Sequence, residues 1–237
     1  MSMLRLVPFG LLATFLSAPA MGAAPSDRPV LAELFTSQSC SSCPPAEALF
    51  HELADDPSLV TLEWHVDYWD DLVYGRYGVW KDPWSDAAFT ERQRRYNAEI
   101  RGTRAVYTPQ AVIGGTAEVN GARRSAVYGA VRNISASDAS LSFTRVESDR
   151  LAVTAISAEP AEGWVAYFVR DIENEVPRGE NHGRELGGRH VVRKLVPLGK
   201  VRGEVTYQIA LPEEGMGCAV IIQAPGPGPV HAAAYCP

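Results

Sequence analysis

VLAELFTSQSCSSCPPAEALFHELADDPSLVTLEWHV, Val30 to Val66, is the stretch that decides the fold. Val30 to Phe35 is a short apolar run and reads as a buried strand. Thr36 to Ser39 is small and polar and leads into Cys40-Ser41-Ser42-Cys43. Pro44-Pro45 suits the first turn of a helix, where a missing N–H costs little. Leu49, Phe50 and Leu53 then recur at helical spacing, and Asp55-Asp56-Pro57 ends the run. Leu59 to Val66 is a second strand. The order is strand, helix, strand, with the cysteine pair at the strand-to-helix junction.

That junction is a place where thiols become reactive. The thiolate is the nucleophile, and the positive end of a helix and a neighbouring thiol both lower a thiol pKa. Cys40, just before the helix, is expected to be exposed and to attack. Cys43, in the first turn, is expected to be more buried and to resolve the mixed disulfide. Two further readings stay open: a static disulfide that staples the turn, and half of a metal site. Zinc usually takes four ligands, often two CxxC pairs or CxxC with two His. The other cysteines, Cys218 and Cys236, show no such spacing, so no metal ligand set is assigned and no bound cofactor is required.

Working outward, Asp67 to Ser85 (DYWDDLVYGRYGVWKDPWS) is an irregular aromatic insertion, a lid or a packed filler. His65 and Asp67, with Asp70, follow the second strand; His65 or Asp67 either tunes the thiols or is a satisfied structural group. Lys81-Asp82 reads as a surface pair. Ser85 is a candidate cap for a helix through Phe89, Arg92, Tyr96 and Ile100. Ala111 to Ile113 and Ala117 to Val119 flank Gly114-Gly115 as a hairpin, and Ala122 to Ile134 looks helical.

After residue 136 the texture changes. Leu141 to Phe143, Leu151 to Ile156, Trp164 to Val169, Val191 to Leu195, Val205 to Ile209, Cys218 to Ile222 and Val230 to Tyr235 are strand-like runs between turn residues. They suggest a mostly β, sandwich-like second domain. Among them Asn181, His182 and Arg184 sit in a Gly-rich polar loop that either covers the CxxC face or binds a ligand. Pairing Ile222 with Ala232 across a hairpin centred on Pro227 also pairs Cys218 with Cys236, at a separation that a disulfide spans.

The N-terminus reads as a signal peptide: Arg5, the apolar run Leu6 to Leu16, then Ala18-Pro19-Ala20 or Gly22 to Ala24 as the cleavage site. The run is too short to span a bilayer, so no stable membrane insertion is expected after cleavage. Export to the periplasm or the extracellular space fits an even cysteine count and disulfides. The expected division is 1–24 leader, 28–136 first domain and 137–237 second domain. A net charge of -6 argues against nucleic acid as a partner.

Together these residues carry a resemblance. A strand, a CxxC opening a helix, a second strand and a later X-Pro before a hairpin resemble thioredoxins. The longer strings ELFTSQSCSSCPPAE, HVDYWD, WKDPWSDAAFTERQ, VYTPQAVIGG and GENHGRELGGRHVV resemble an exported thioredoxin-like bacterial family described as a domain of unknown function. The resemblance implies an α/β thioredoxin-like domain with a helical and aromatic insertion. It implies thiol–disulfide oxidoreductase chemistry at Cys40 and Cys43 on a protein or small thiol substrate. It also implies a cis Thr108-Pro109 that presents backbone to that substrate. One departure stands out: where thioredoxins carry a buried strand acid, this chain has Leu34, and Glu33 falls on the other face. A non-catalytic binding module on the same fold is the alternative, and metal handling a third.

Overall fold

The structure, a computed structural model, describes residues 28–72 and 78–237. The leader expected at 1–24 lies outside the described residues. β1 (Val30–Thr36), α1 (Pro44–Leu53) and β2 (Leu59–His65) form the strand–helix–strand unit. β1 and β2 are parallel, with Val30 opposite Leu59 and Thr36 opposite His65.

Alternation along these strands serves two layers. Ala32 and Leu34 pack under α1 and α3 (Arg124–Arg132), against Ala46, Leu49, Phe50 and Leu53. Leu31 and Phe35 face the other way with Val60, Leu62 and Trp64, and Phe89 and Tyr96 of α2 (Ala87–Arg101) close that layer. Both faces are covered, which is why these strands read as mostly apolar runs and not as an apolar–polar alternation. Asp86, not Ser85, caps α2: its carboxylate accepts the Ala88 N–H. Ser85 instead donates its hydroxyl to Asp70 and to the Asp82 carbonyl. β3 (Gln110–Ile113) and β4 (Ala117–Asn120) form the expected hairpin beside β1, turning on Gly114 and Gly115 at φ 58° and 71°.

The second half differs from its sequence reading in one respect. Leu151 to Ile156 and Trp164 to Val169 belong to one strand, β6 (Arg150–Glu175), and Val191 to Leu195 and Val205 to Ile209 to another, β7 (Glu185–Ala210). Pro160 and Gly163 look like turn residues but sit at register shifts in a long hairpin. A bulge leaves residues unpaired, so proline's missing N–H costs nothing there. With β5 (Ser140–Glu147), β8 (Met216–Gln223) and β9 (Val230–Tyr235), the described strands make one nine-stranded sheet. Its order is β4-β3-β1-β2-β7-β6-β8-β9, with β5 on β6. β7 docks in parallel on β2, Glu63 opposite Val191. Phe168, Val192, Ala219 and Ile221 extend the α2 layer, so sheet and core both cross the boundary read at residue 136. The far end of the hairpin folds over: Leu151, Val153 and Ala155 join Val165, Val220 and Ile222, and the Tyr167 hydroxyl donates to the Ala210 carbonyl.

On β8 and β9, Ile222 faces Ala232, and Cys218–Cys236 is a disulfide with a Cα separation of 5.3 Å. It closes a loop of sequence separation 18. Replacing both cysteines with alanine should cost about 2–4 kcal/mol in urea unfolding, mostly by freeing the unfolded chain. An unchanged midpoint would show that strand pairing alone holds this edge.

Candidate functional site

β1 ends at Thr36, and the chain turns so that the Cys40 N–H donates to the Ser37 carbonyl. Cys43 is the N-cap of α1, and its carbonyl accepts from the Ala46 and Glu47 amides. Pro44 and Pro45 occupy first-turn positions whose N–H groups would have no helical acceptor. Cys40 and Cys43 form a disulfide with Cα atoms 5.4 Å apart. Both are 0% exposed, although Ser41 and Ser42 between them are exposed. This corrects the expectation of an exposed Cys40. The cause lies far away in sequence.

The cover is the loop joining β6 to β7. It closes on itself through Val176 N–H to the Arg184 carbonyl and Gly183 N–H to the Val176 carbonyl. Asn181, 0% exposed, donates its side-chain amide to the Gln38 carbonyl (2.8 Å) and the Cys40 carbonyl (3.0 Å). Arg184 donates to the Asn181 amide oxygen at 2.9 Å. The Glu180 carboxylate accepts the Ser41 N–H at 3.0 Å. Gln38 and Asn174 exchange amide hydrogen bonds of 2.7 and 3.0 Å. Gly179, at φ 76°, lies against Trp80, where an added Cβ would come within 3.2 Å of the Trp80 Cβ.

Beneath the pair lies an ionisable cluster. Alternation along β1 and β2 puts Thr36, Glu63 and His65 on the α1 face, and α1 brings Glu47, one turn after Cys43. The Thr36 hydroxyl donates to Glu47 at 2.6 Å. His65 Nδ1 lies 2.7 Å from Asp82 Oδ2, which also accepts the Gln38 N–H at 2.7 Å. Glu47, Glu63, His65 and Asp82 are 5%, 0%, 1% and 1% exposed. Neither Glu63 oxygen nor His65 Nε2 meets a well-aligned partner among the described residues, though the Arg189 amide leans toward Glu63.

Burial sets the electrostatics. It pushes the Glu47 carboxyl up to about 7, against the pull of His65 and the Thr36 hydroxyl. Burial, then Glu47, holds Glu63 well above the carboxylate range. Burial opposes the His65 charge, but Asp82, Glu47 and Glu63 outweigh it and raise the imidazole to about 9. Burial also opposes the Asp82 charge, but the His65 cation wins and keeps that carboxyl below its usual range. The cluster is thus an ion pair beside two carboxyls whose ionisation burial opposes. A groove of about 600 Å³, lined by Pro44, Pro45, His51, Arg184 and Leu186, reaches Glu47 from the surface.

The other residues singled out in the sequence are placed as follows. Asp67 turns to α2, accepting the Thr90 hydroxyl at 2.5 Å, and is not paired with His65. Asp82, read as half of a surface pair, is buried and takes that place. Thr108-Pro109 is cis, and the register of Phe35 with Gln110 sets Pro109 opposite Thr36. The Thr108 hydroxyl accepts the Trp69 indole N–H at 2.8 Å. Glu47 was missed. Its signal was available: in a helix, a residue four after Cys43 lies on the same face. No group of three or more His, Cys, Asp or Glu is arranged to hold a metal ion among the described residues.

No curated protein matches the chain. The crystal structure of a protein from Agrobacterium tumefaciens is similar, at 27% identity and a TM-score of 0.74, covering 90% of this chain and 95% of that one. A domain of the outer membrane lipoprotein Omp28 from Porphyromonas gingivalis overlaps 44% of this chain and 89% of its own, at 10% identity and a TM-score of 0.23, too loosely to bear on the fold. The family described as Protein of unknown function (DUF1223) matches residues 31–223. That span takes in the CxxC, its cover, the buried cluster and both halves of the sheet, and the chain belongs to this family.

Proposed function

We propose that the chain is an exported, thioredoxin-like protein that exchanges thiols and disulfides through Cys40 and Cys43. Its substrate class is a protein or small-molecule thiol or disulfide. The CxxC at the helix N-terminus, the parallel β1–β2 pair, and the cis Thr108-Pro109 leading into a hairpin support the thioredoxin-like assignment. The folded-over hairpin supports a sandwich-like second half. Two disulfides accord with export to the periplasm or the extracellular space.

The observation that carries the reading is the ionisable cluster packed beneath the pair. Burying carboxyls and an imidazole is costly, and a disulfide that merely staples a turn has no use for them. One observation favours the second reading, a non-catalytic binding module: both cysteines are fully covered. In that case the cover is permanent.

A trapping experiment separates the two. Cys43→Ser leaves Cys40 free to attack but not to be resolved, so it should accumulate mixed disulfides with disulfide substrates such as intact, disulfide-bonded insulin, whose second sulfur leaves as a thiol. Cys40→Ser/Cys43→Ser should accumulate none. A pair that resists excess dithiol while the chain stays folded, together with no trapping by Cys43→Ser, would establish the binding module instead.

A further inference from the structure

Opening a disulfide moves protons as well as electrons. An incoming thiolate that attacks Cys40 expels Cys43 as a thiolate, and Cys43 is 0% exposed. Bulk water is therefore not its immediate proton source. The groups around it come from every packed element. α1 supplies Glu47 and the exposed His51, β1 the Thr36 hydroxyl, and β2 Glu63 and His65. The segment before α2 supplies Asp82, the cover Arg184, and β7 Arg189. Arginines do not give up protons in proteins. Asp82 accepts three hydrogen bonds, from His65, Gln38 and Trp84, as an ionised carboxylate does. His51 lines the groove but is exposed, and it lies two turns along α1 from Cys43. Glu63 lies deep on β2 against β7. Only Glu47 is on Cys43's own helix, one turn on, and also lines the groove to solvent.

We propose that Glu47 holds the proton that Cys43 takes when its disulfide opens, and regains one through the groove beside Pro44, Pro45 and Arg184. This deepens the exchange reading above and rests on it. A thiolate of a dithiol substrate attacks Cys40 Sγ. A substrate–Cys40 S–S bond forms, the Cys40–Cys43 bond breaks, and its electron pair goes to Cys43, which takes the Glu47 proton. The second substrate thiolate then attacks the substrate sulfur of the mixed disulfide and releases Cys40 as a thiolate. The substrate ends as a disulfide and the protein as a dithiol. The two protons lost by the substrate enter solvent, from which Glu47 and Cys40 are reprotonated. A carboxyl raised to about 7 can both give and recover a proton near neutral pH. His65, held by Asp82, acts as a positioning group: its charge offsets part of the burial effect and keeps the Glu47 carboxyl from rising further.

The test follows reduction of the full-length oxidised protein by dithiothreitol from pH 5 to 9, counting alkylated cysteines by mass and dividing each rate by the dithiothreitol thiolate fraction. The wild-type rate should fall as pH rises through about 7. Glu47→Gln should be slower below pH 7, by about tenfold or more, and should lose that inflection. Glu47→Asp keeps the carboxyl, so it should retain the inflection at a shifted pH. It also serves if Glu47→Gln does not fold. Normalised profiles that superimpose, or an Asp variant without inflection beside an unchanged rate, would overturn Glu47's role while leaving exchange intact. A wild-type pair that is never reduced while folded would overturn both.

Discussion

Arg92→Met should destabilise the protein by about 3–5 kcal/mol, because it strands a charge in the core. Glu33 is 0% exposed. Arg92 Nε lies 2.7 Å from its Oε1, and the Tyr96 hydroxyl donates to its other oxygen. Arg92 also donates to the Tyr96 hydroxyl at 2.9 Å and to Gln223 at 3.3 Å. Its guanidinium lies 5.1 Å from the Trp64 ring and 5.0 Å from the Tyr96 ring. Methionine keeps much of the packing but leaves the Glu33 carboxylate without its counter-ion. The double variant Glu33→Gln/Arg92→Met removes both charges and should recover most of the loss, since neutral replacement of a buried pair is often tolerated. Urea unfolding of the two variants against wild type measures this. A single-variant loss under about 1 kcal/mol would place the pair among weak, water-screened contacts.

The same residue shows what alternation makes legible. From sequence alone, Glu33 stands one step from where a thiol-facing strand acid belongs, and one step on a strand reverses the face. The structure puts it with Leu31 and Phe35 under α2, while Leu34 takes the α1 side. The β1–α1–β2 unit, the β3–β4 hairpin and the Ile222–Ala232 register were readable because each is decided by local periodicity and turn chemistry. What escaped is nonlocal. Cys40 is 0% exposed, and its carbonyl is tied to Asn181, 141 positions away in sequence. Asp82 looks like a surface residue beside Lys81 until the fold brings His65 against it. β6 and β7 were read as four short strands because Pro160 and Gly163 in the one, and Pro197, Gly199 and Gly203 in the other, mark turns in isolation, and only the pairing of the two strands carries each through. That β7 would dock on β2 is set by shape across the whole sheet, and no short motif carries it.

Asn181→Ala should raise the rate at which a dithiol reduces Cys40–Cys43 by roughly 30-fold. With Asn181 intact, its amide satisfies two buried carbonyls, Gln38 and Cys40, and its oxygen accepts from Arg184. Alanine leaves the Gln38 carbonyl unpaired in the closed state and the Cys40 carbonyl with only the Cys43 N–H, and an unsatisfied buried group costs about 1–3 kcal/mol. In the open state water satisfies them, so the penalty falls on closure alone. The remaining ties are the Glu180 bond to Ser41 and the Gln38–Asn174 amide pair. A closed state weakened by about 2 kcal/mol is opened about 30 times more often, because each 1.4 kcal/mol is tenfold. Arg178→Ala, on the same loop but exposed, should leave the rate within about twofold, as surface changes usually do. Because the sulfurs are covered in the closed state, the gain should appear with both a small dithiol and a protein-sized one. A gain confined to the large reductant would mean that small thiols reach the pair without the loop lifting. No gain with either would mean that the loop is not what shuts the pair away, and access would have to come instead from movement of the Trp80 side, whose carbonyl takes the Ser39 hydroxyl.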